Sequence, residues 1–441
     1  MRKRVLMVMT RDIPQAASNG RERTLCFIRQ AIGMDADVRE FKIPSIFETG
    51  TLASKLRAGL RVAEGLLTAR PCALQVAMFS SGNAKKRLIE AIDEFKPDVI
   101  YFDGIRMVDY AAFVRRRYPL SHIITDLDDL MSRRANILRT GDFALSVGYL
   151  AKSIPKSIVS LINSRLARNL LLRYEELALK GHEKLAAASS NAVTLVSTTD
   201  AAALERILPD AMKKRIHVIA PPIDSVKSVT RPVGPVRFVF VGADSQLQNR
   251  LAIQYLVESW KKLELNLPLV IYGRMSGQYE PVPNVMFAGF APSLAEVYTP
   301  NSIALCPTFL RGGIKSKVLE AVSFGCVPVG NDAAYEGLNF EDGALAMNES
   351  RLRRFLSDPH ADLDEVLEAA SRFAAFCERN FSLPVFSRRW GDLLRPVVYV
   401  PKTETSVIAG EGKMSAMAIE VVQRSPVKSS VEDGLATRGQ V

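Results

Sequence analysis

Lys315, Lys317 and Glu320 stand close together in the stretch RGGIKSKVLEAVSFGCVPVGNDAAYEG, residues 311–337, and these residue types at this spacing suit one kind of chemistry. The surrounding pattern predicts an apolar strand (302–306), a turn carrying Gly312 and Gly313, a helix, and a second apolar strand (326–329). Both lysines fall at the start of the helix. A helix N-terminus already has unpaired N–H groups and positive character, so lysines placed there worsen the local field unless an anion arrives. Glycines let a ligand come close to the backbone. The combination points to phosphate. Glu320 follows Lys317 by three residues and lies on nearly the same helical face. A carboxylate there would accept two hydrogen bonds from a ribose diol, so the stretch predicts a nucleotide-diphosphate site. A plainer reading stays open: Gly-Gly before a helix is often only a turn, and strand–turn–helix units with a lysine are common in α/β domains.

Other residues join this set. Gly242 ends a buried strand in Val241-Gly242-Ala243-Asp244, where a ligand can approach closely, and Asn249 and Arg250 open the next helix. A simple strand-to-helix turn with a capping residue is the alternative there. Arg274 sits at a further strand end. Near the N-terminus, Gly20 and Arg21 follow the first strand, in a stretch that suits an ordinary N-cap and turn. Asp126-Leu127-Asp128-Asp129 ends another apolar strand, and three carboxylates so close repel one another unless they have partners. Arg133 and Arg134, within helical reach, would be those partners. The functional reading instead sets the acidic loop in a cleft against an acceptor hydroxyl or a sugar.

These residues need elements to hold them. Apolar runs at 5–9, 99–102, 123–125, 193–197 and 217–220 alternate with helical patterns at 21–32, 84–95 and 107–117, which argues for a parallel sheet covered by helices. Pro221-Pro222 and the Pro/Gly cluster at 230–235 interrupt the pattern. Alternation restarts at 236–241 and continues through 269–272, 285–288, 303–306 and 327–329. The fold class is therefore α/β with two parallel-sheet domains, 1–225 and 226–380. Helical patterns at 362–379 and 385–395 follow, with 381–400 as a closing segment. The polar stretch 401–441 is expected to be a disordered tail, with a short amphipathic helix at 414–422 left open.

The chain has 441 residues, 48% of them hydrophobic and 24% charged, as in a soluble globular protein. The basic, apolar N-terminal run is too short and too soon broken by Arg11 and Asp12 for a secretory signal, and it is expected to be a first buried strand. Apolar runs long enough for a membrane-spanning helix are missing. Five scattered cysteines, an odd number, suit a reducing cytoplasm, and no Cys/His pair has metal spacing. A net charge of +11 favours anionic partners, with plain solvated surface as the alternative. Nucleic acid is not expected, because no aromatic-rich basic strand or known binding signature is present. Residues 143–173 hold Lys152, Lys156, Arg165, Arg168 and Arg173 among many leucines and isoleucines, with no Asp or Glu. Such a segment is either a core helix with basic edges or a surface for an anionic membrane.

GGIKSKVLEAVSFGCVPVG resembles the donor-site signature of glycosyltransferase family 4 (group 1), whose fold is GT-B. Gly312, Gly313, Lys315, Lys317, Leu319, Glu320, Ala321, Gly325, Pro328 and Val329 match in order, and the segment 334–338 is also typical. Many members carry a glutamate where this chain has Gly312, so the two-glutamate form is absent and the donor-sugar contacts are open. The resemblance implies two Rossmann-like domains facing a central cleft, with the 381–400 helix returning to the first. It implies donor contacts from Gly242, Asn249, Arg250, Arg274, Gly312, Gly313, Lys315, Lys317 and Glu320, and from Phe290 beside the base unless Phe290 only packs. It implies catalytic roles within Asp126, Asp128, Lys317 and Glu320, without naming a base, and an acceptor-side cleft at Gly20, Arg21 and Asp129. The expected reaction moves a sugar from a nucleotide-diphosphate sugar to a glycan or lipid-linked acceptor, with retention, in bacterial surface polysaccharide synthesis. No metal or other cofactor is expected beyond the donor. The expected place is the cytoplasm, with attachment to the inner face of the cell membrane left open. A sugar-nucleotide epimerase and a nucleotide-binding scaffold without transfer remain as alternatives; four scattered histidines give the epimerase little support.

Overall fold

The structure, a computed structural model, describes residues 2–14, 20–49, 52–68, 71–141, 143, 164–232 and 234–395. The expected tail at 401–441, the helix at 414–422, most of the basic segment 143–173 and the end of the closing segment lie outside the described residues. The chain divides into Met1–Leu394 and Arg395–Val441, and the elements described here belong to the first unit.

That unit holds two parallel sheets. The first comprises β1 (Lys3–Met9), β2 (Ala36–Lys42), β3 (Val99–Asp103), β4 (His122–Asp128), β5 (Ala192–Leu195) and β6 (Ile216–Val218), in the order β2-β1-β3-β4-β5-β6. The second comprises β7 (Arg237–Val241), β8 (Leu269–Tyr272), β9 (Val285–Gly289), β10 (Ser302–Leu305) and β11 (Val327–Val329), in the order β11-β10-β7-β8-β9. Every ladder is parallel. The longer described helices are α1 (Gly20–Asp35), α2 (Leu52–Leu67), α3 (Gly82–Phe95), α4 (Val108–Arg117), α5 (Met131–Thr140), α6 (Arg165–Ser189), α7 (Thr198–Glu205), α8 (Leu247–Leu263), α9 (Ser316–Ser323), α10 (Glu349–Ser357), α11 (Leu363–Phe381) and α12 (Leu383–Leu393).

Strands covered on both faces must be apolar throughout, and β3 is buried at every position. The exception is β2, whose sequence ADVREFK alternates charges with apolar residues and gives no apolar run to detect. It lies at the sheet edge, where polar side chains are tolerated. The β4–β5 register shifts between Asp126 and Asp128, and Asp128 takes a left-handed φ of 64°. This irregularity turns the end of β4 just where the acidic loop begins.

The chain's path closes on itself. A bridge joins Ile223 to Ser382, and α12 then buries Phe386, Trp390 and Leu393 in a cluster with Val5, Met7 and Tyr101 of the first lobe. Trp390 meets Tyr101 edge-on at 5.8 Å and Phe386 meets Phe27 at 6.5 Å. Lys3 Nζ donates to the Leu394 carbonyl at 2.6 Å. The second lobe has its own core, in which Phe238 packs against Trp260 and Phe355.

Candidate functional site

The turn before α9 is built on backbone that only glycine adopts easily: φ is 97° at Gly312 and 63° at Gly313. A side chain at Gly313 would also collide with the Asp129 carboxylate. Lys315 occupies the N-cap of α9 and is 7% exposed, and its ammonium donates to the Gly312 carbonyl. Burial lowers its pKa, while Asp129 and Glu336 pull it back up. Lys317, the second residue of α9, donates to Asn249 Oδ1 at 2.5 Å and sits 4.2 Å above the centre of the Phe240 ring. Burial brings its pKa down to about 8, against the opposing pull of Cys306 and Glu320. Neither lysine has a carboxylate within ion-pair distance among the described residues. Two buried ammonium groups at a helix N-terminus, with no ion-pair partner among the described residues, make a candidate anion site.

Asn249, in the first turn of α8, is buried and donates to the Ala243 carbonyl at 2.9 Å. Its side chain lies over Gly242, 2.6 Å from where a Cβ would stand, so Gly242 serves to let Asn249 reach Lys317. Gly312, Gly313, Lys315, Lys317 and Asn249 line one cavity of about 190 Å3, together with Asp129 and Arg134 from the first lobe. Gly20, Arg21, Asp128, Asp129 and Glu320 line an adjoining cavity of about 170 Å3, and Asp129, Ile314 and Ser316 border both. Arg250, Arg274 and Phe290 line neither: Arg274 stacks on Phe290 at 5.6 Å, and Phe290 is 69% exposed.

The acidic loop is organised differently from the sequence-based expectation. Its main cation is Arg21, which pairs with Asp103, with Asp126 at 2.8 Å and with Asp128 at 3.1 Å. Asp126 is 2% exposed and also accepts from Tyr101 at 2.8 Å and Thr194 at 2.7 Å. Of the two arginines expected as partners, only Arg134 pairs with the loop, at 3.5 Å from Asp129. Arg133 turns instead to Asp200 and Glu336. Local spacing made both arginines available, but α5 points Arg133 at Asp200 of its own lobe and Glu336 of the other. Burial raises the Asp128 pKa, which Arg21 opposes and the neighbouring carboxylates reinforce. Burial raises Asp129 likewise, against the pull of Arg134.

Several residues missed in the sequence join the lobes. Asp200 of α7, buried and paired with Arg133 at 2.9 Å, accepts the Gly313 N–H at 3.0 Å. Thr198 donates to Asn339 at 2.8 Å, and Ser197 fills the space a side chain on Gly337 would need. Arg23 on α1 donates to Glu320 at 2.7 Å. A signal for one of these existed: Ser197-Thr198-Thr199-Asp200 has capping-box spacing, and Ser197 caps α7. The cross-lobe partners themselves have no local pattern. No helix among the described residues is long and apolar enough to cross a membrane.

Comparison with known proteins adds to this picture. Residues 235–373 match the family model described as Glycosyl transferases group 1. A search of curated proteins finds no match to the chain. Solved structures share the fold over 89% of the chain. They include the apo form of the lipopolysaccharide outer core galactosyltransferase WaaB, with 12% identity, 99% of that chain covered and a TM-score of 0.54. HepE from Anabaena in complex with UDP and glucose gives 14%, 99% and 0.53. Sucrose-phosphate synthase from Thermosynechococcus elongatus gives 12%, 98% and 0.55. At such identities the likeness is one of fold, and that fold is GT-B.

Proposed function

We propose that this chain, a GT-B protein whose residues 235–373 carry the group 1 glycosyl transferase pattern, moves a sugar from a nucleotide-diphosphate sugar to a glycan or lipid-linked acceptor. The observation that carries this reading is the pair of buried ammonium groups, Lys315 and Lys317, beside the glycine turn, with no carboxylate within ion-pair distance among the described residues. In this reading the two lysines and the α9 N-terminus hold the diphosphate, with Gly312 and Gly313 letting it approach and Asn249 aiming Lys317. Glu320 takes the ribose diol, Phe290 lies beside the base, Arg274 approaches the donor, and the loop leading to Arg250 faces the donor phosphates. As the bond to the sugar breaks, the lysines stabilise the charge growing on the leaving diphosphate, the effect expected to contribute most to rate.

The acceptor enters from the first lobe, past Gly20, Arg21, Asp128 and Asp129. Asp126, saturated by Arg21, Tyr101 and Thr194, positions Arg21 and the loop. Closure of the lobes excludes water that would hydrolyse the donor. The configuration at the sugar is retained, the donor is the only small molecule required, and the setting is bacterial surface polysaccharide synthesis on the cytoplasmic side of the membrane. Leu166, Leu170 and Leu177, exposed along α6 beside Arg165 and Arg173, support contact with an anionic bilayer.

The test is a thermal-shift screen against UDP, GDP, ADP, CDP and dTDP and their sugars, followed by transfer assays with the sugar that binds. A ligand specific to the folded state raises the melting temperature. Lys317→Ala and Glu320→Ala are each expected to abolish transfer with the fold intact, and wild-type turnover in either sinks the site assignment. Transfer unaffected by EDTA is expected, and binding without transfer to any acceptor would favour a non-catalytic partner.

A further inference from the structure

Glu320 already has a partner, and that partner comes from the wrong lobe to be part of the donor site. Arg23 Nη1 lies 2.7 Å from Glu320 Oε1. The Arg23 side chain is 44% exposed and the Glu320 side chain 18% exposed, and both line the cavity that adjoins the buried lysines. Arg23 has no other carboxylate within ion-pair distance among the described residues, whereas its neighbour Arg21 is committed to Asp103, Asp126 and Asp128. The guanidinium thus occupies the carboxylate that a ribose would need. A carboxylate oxygen engaged by a guanidinium has fewer lone pairs to offer two hydroxyls.

We propose that Arg23 is a positioning residue that guards Glu320: it holds the carboxylate aimed across the cleft in the empty protein, and the ribose diol of the donor displaces it. The inference rests on the assignment of Glu320 to the ribose. Donor binding then exchanges one ion pair for two hydroxyl hydrogen bonds. The same event removes one of the ties between the lobes, while those through Asp200 and Glu336 persist. A ligand with phosphates but no ribose leaves the Arg23–Glu320 pair in place, so the pair weakens the binding of nucleotide and not that of free diphosphate.

Titration calorimetry separates this from a merely structural role. The probes are inorganic pyrophosphate and whichever of UDP, GDP, ADP and CDP binds the wild-type protein most tightly. Arg23→Ala is expected to tighten the nucleotide about 1.5- to fivefold, the range set by a partly exposed ion pair, and to leave pyrophosphate unchanged. The gain is expected to vanish in a Glu320→Gln background, and Arg23→Lys is expected to restore much of the wild-type affinity. Arg23→Gln guards against a fold defect special to alanine, and the exposed position of Arg23 on α1 makes such a defect visible as a lowered melting temperature. Nucleotide binding that is unchanged or weaker in Arg23→Ala and Arg23→Gln, while wild type binds, overturns the guard alone. Failure of wild type and variants alike to bind any of the four nucleotides overturns the ribose assignment and the guard with it.

Discussion

The backbone N–H of Gly313 donates across the cleft to Asp200, 3.0 Å away, so the glycine turn of one lobe is held by a buried carboxylate of the other. The carboxylate also anchors Arg133, which reaches on to Glu336. Asp200→Asn removes the charge from this network while keeping its shape. It is expected to destabilise the protein by about 1–3 kcal/mol, the cost of leaving buried hydrogen-bonding groups poorly matched. Urea denaturation measures this, and an unchanged midpoint would show that the network is not cooperative.

Gly312 and Gly313 look interchangeable in sequence, but they are not equivalent in space. The nearest atom to a Cβ at Gly312 is Arg133 Nη1, 3.5 Å away, whereas a Cβ at Gly313 meets the Asp129 carboxylate directly. Both substitutions carry the strain of positive φ, about 1–3 kcal/mol. Gly313→Ala is therefore expected to lower the melting temperature and the transfer rate more than Gly312→Ala. Adding Asp129→Ala to Gly313→Ala is expected to restore part of the lost stability. Equal losses in the two alanine variants would place the cost in backbone strain alone.

The glycine–lysine turn was legible in the sequence because its residues are contiguous: Gly312 to Glu320 share one turn and one short helix. The two sheets were legible for a similar reason, since β7, β8, β10 and β11 are apolar runs. Residues that meet only through the fold were not. Arg21 lies far along the chain from Asp103 and Asp126, and nothing local marked it as their cation; Arg133 and Arg134 were nearer and were expected in its place. Asp200, Glu336 and Arg23 act across the cleft, where spacing carries no information. The edge strand β2 was missed because its exposed face carries charges.

Lys317 gives the site a pH signature. Burial lowers its pKa to about 8, so in the empty protein the ammonium is lost as pH rises through that value. A bound diphosphate favours the charged form and raises the pKa again. Nucleotide affinity is therefore expected to fall as pH rises above about 8, with proton uptake on binding. Calorimetry in buffers of different ionisation enthalpy reads that uptake directly. The sign for folding is the reverse: the unfolded chain holds its proton up to about 10.4, so this lysine makes folding more favourable as pH rises between the two values. Affinity that is flat from pH 7 to 9.5 would remove Lys317 from the diphosphate site.

Glu183 on α6 is a second titrating group, buried behind the acidic loop. One oxygen accepts the Ser132 N–H at 2.8 Å at the start of α5, and the other has no hydrogen-bond partner among the described residues. Burial raises its pKa to about 7, against the opposing effect of Ser132. The folded pKa lies above the unfolded one, so the stability from this group is fully present below about 4.3 and is lost as pH rises through about 7. Glu183→Gln is expected to raise stability at pH 8, by up to roughly 3 kcal/mol, and to change little at pH 4. Chemical denaturation at the two pH values checks this, and equal effects at both would assign the change to packing.

The helix that carries Trp390 has a consequence for the order in which the molecule is made. Tyr101 and the strands around it emerge from the ribosome early, but Phe386, Trp390 and Leu393, which complete their core, are synthesised after the whole second lobe. The first lobe cannot finish its core as a vectorial, N-to-C process. During synthesis it exposes the apolar surface that α12 will cover, and a chain halted near residue 380 presents that surface as a site for chaperones or aggregation.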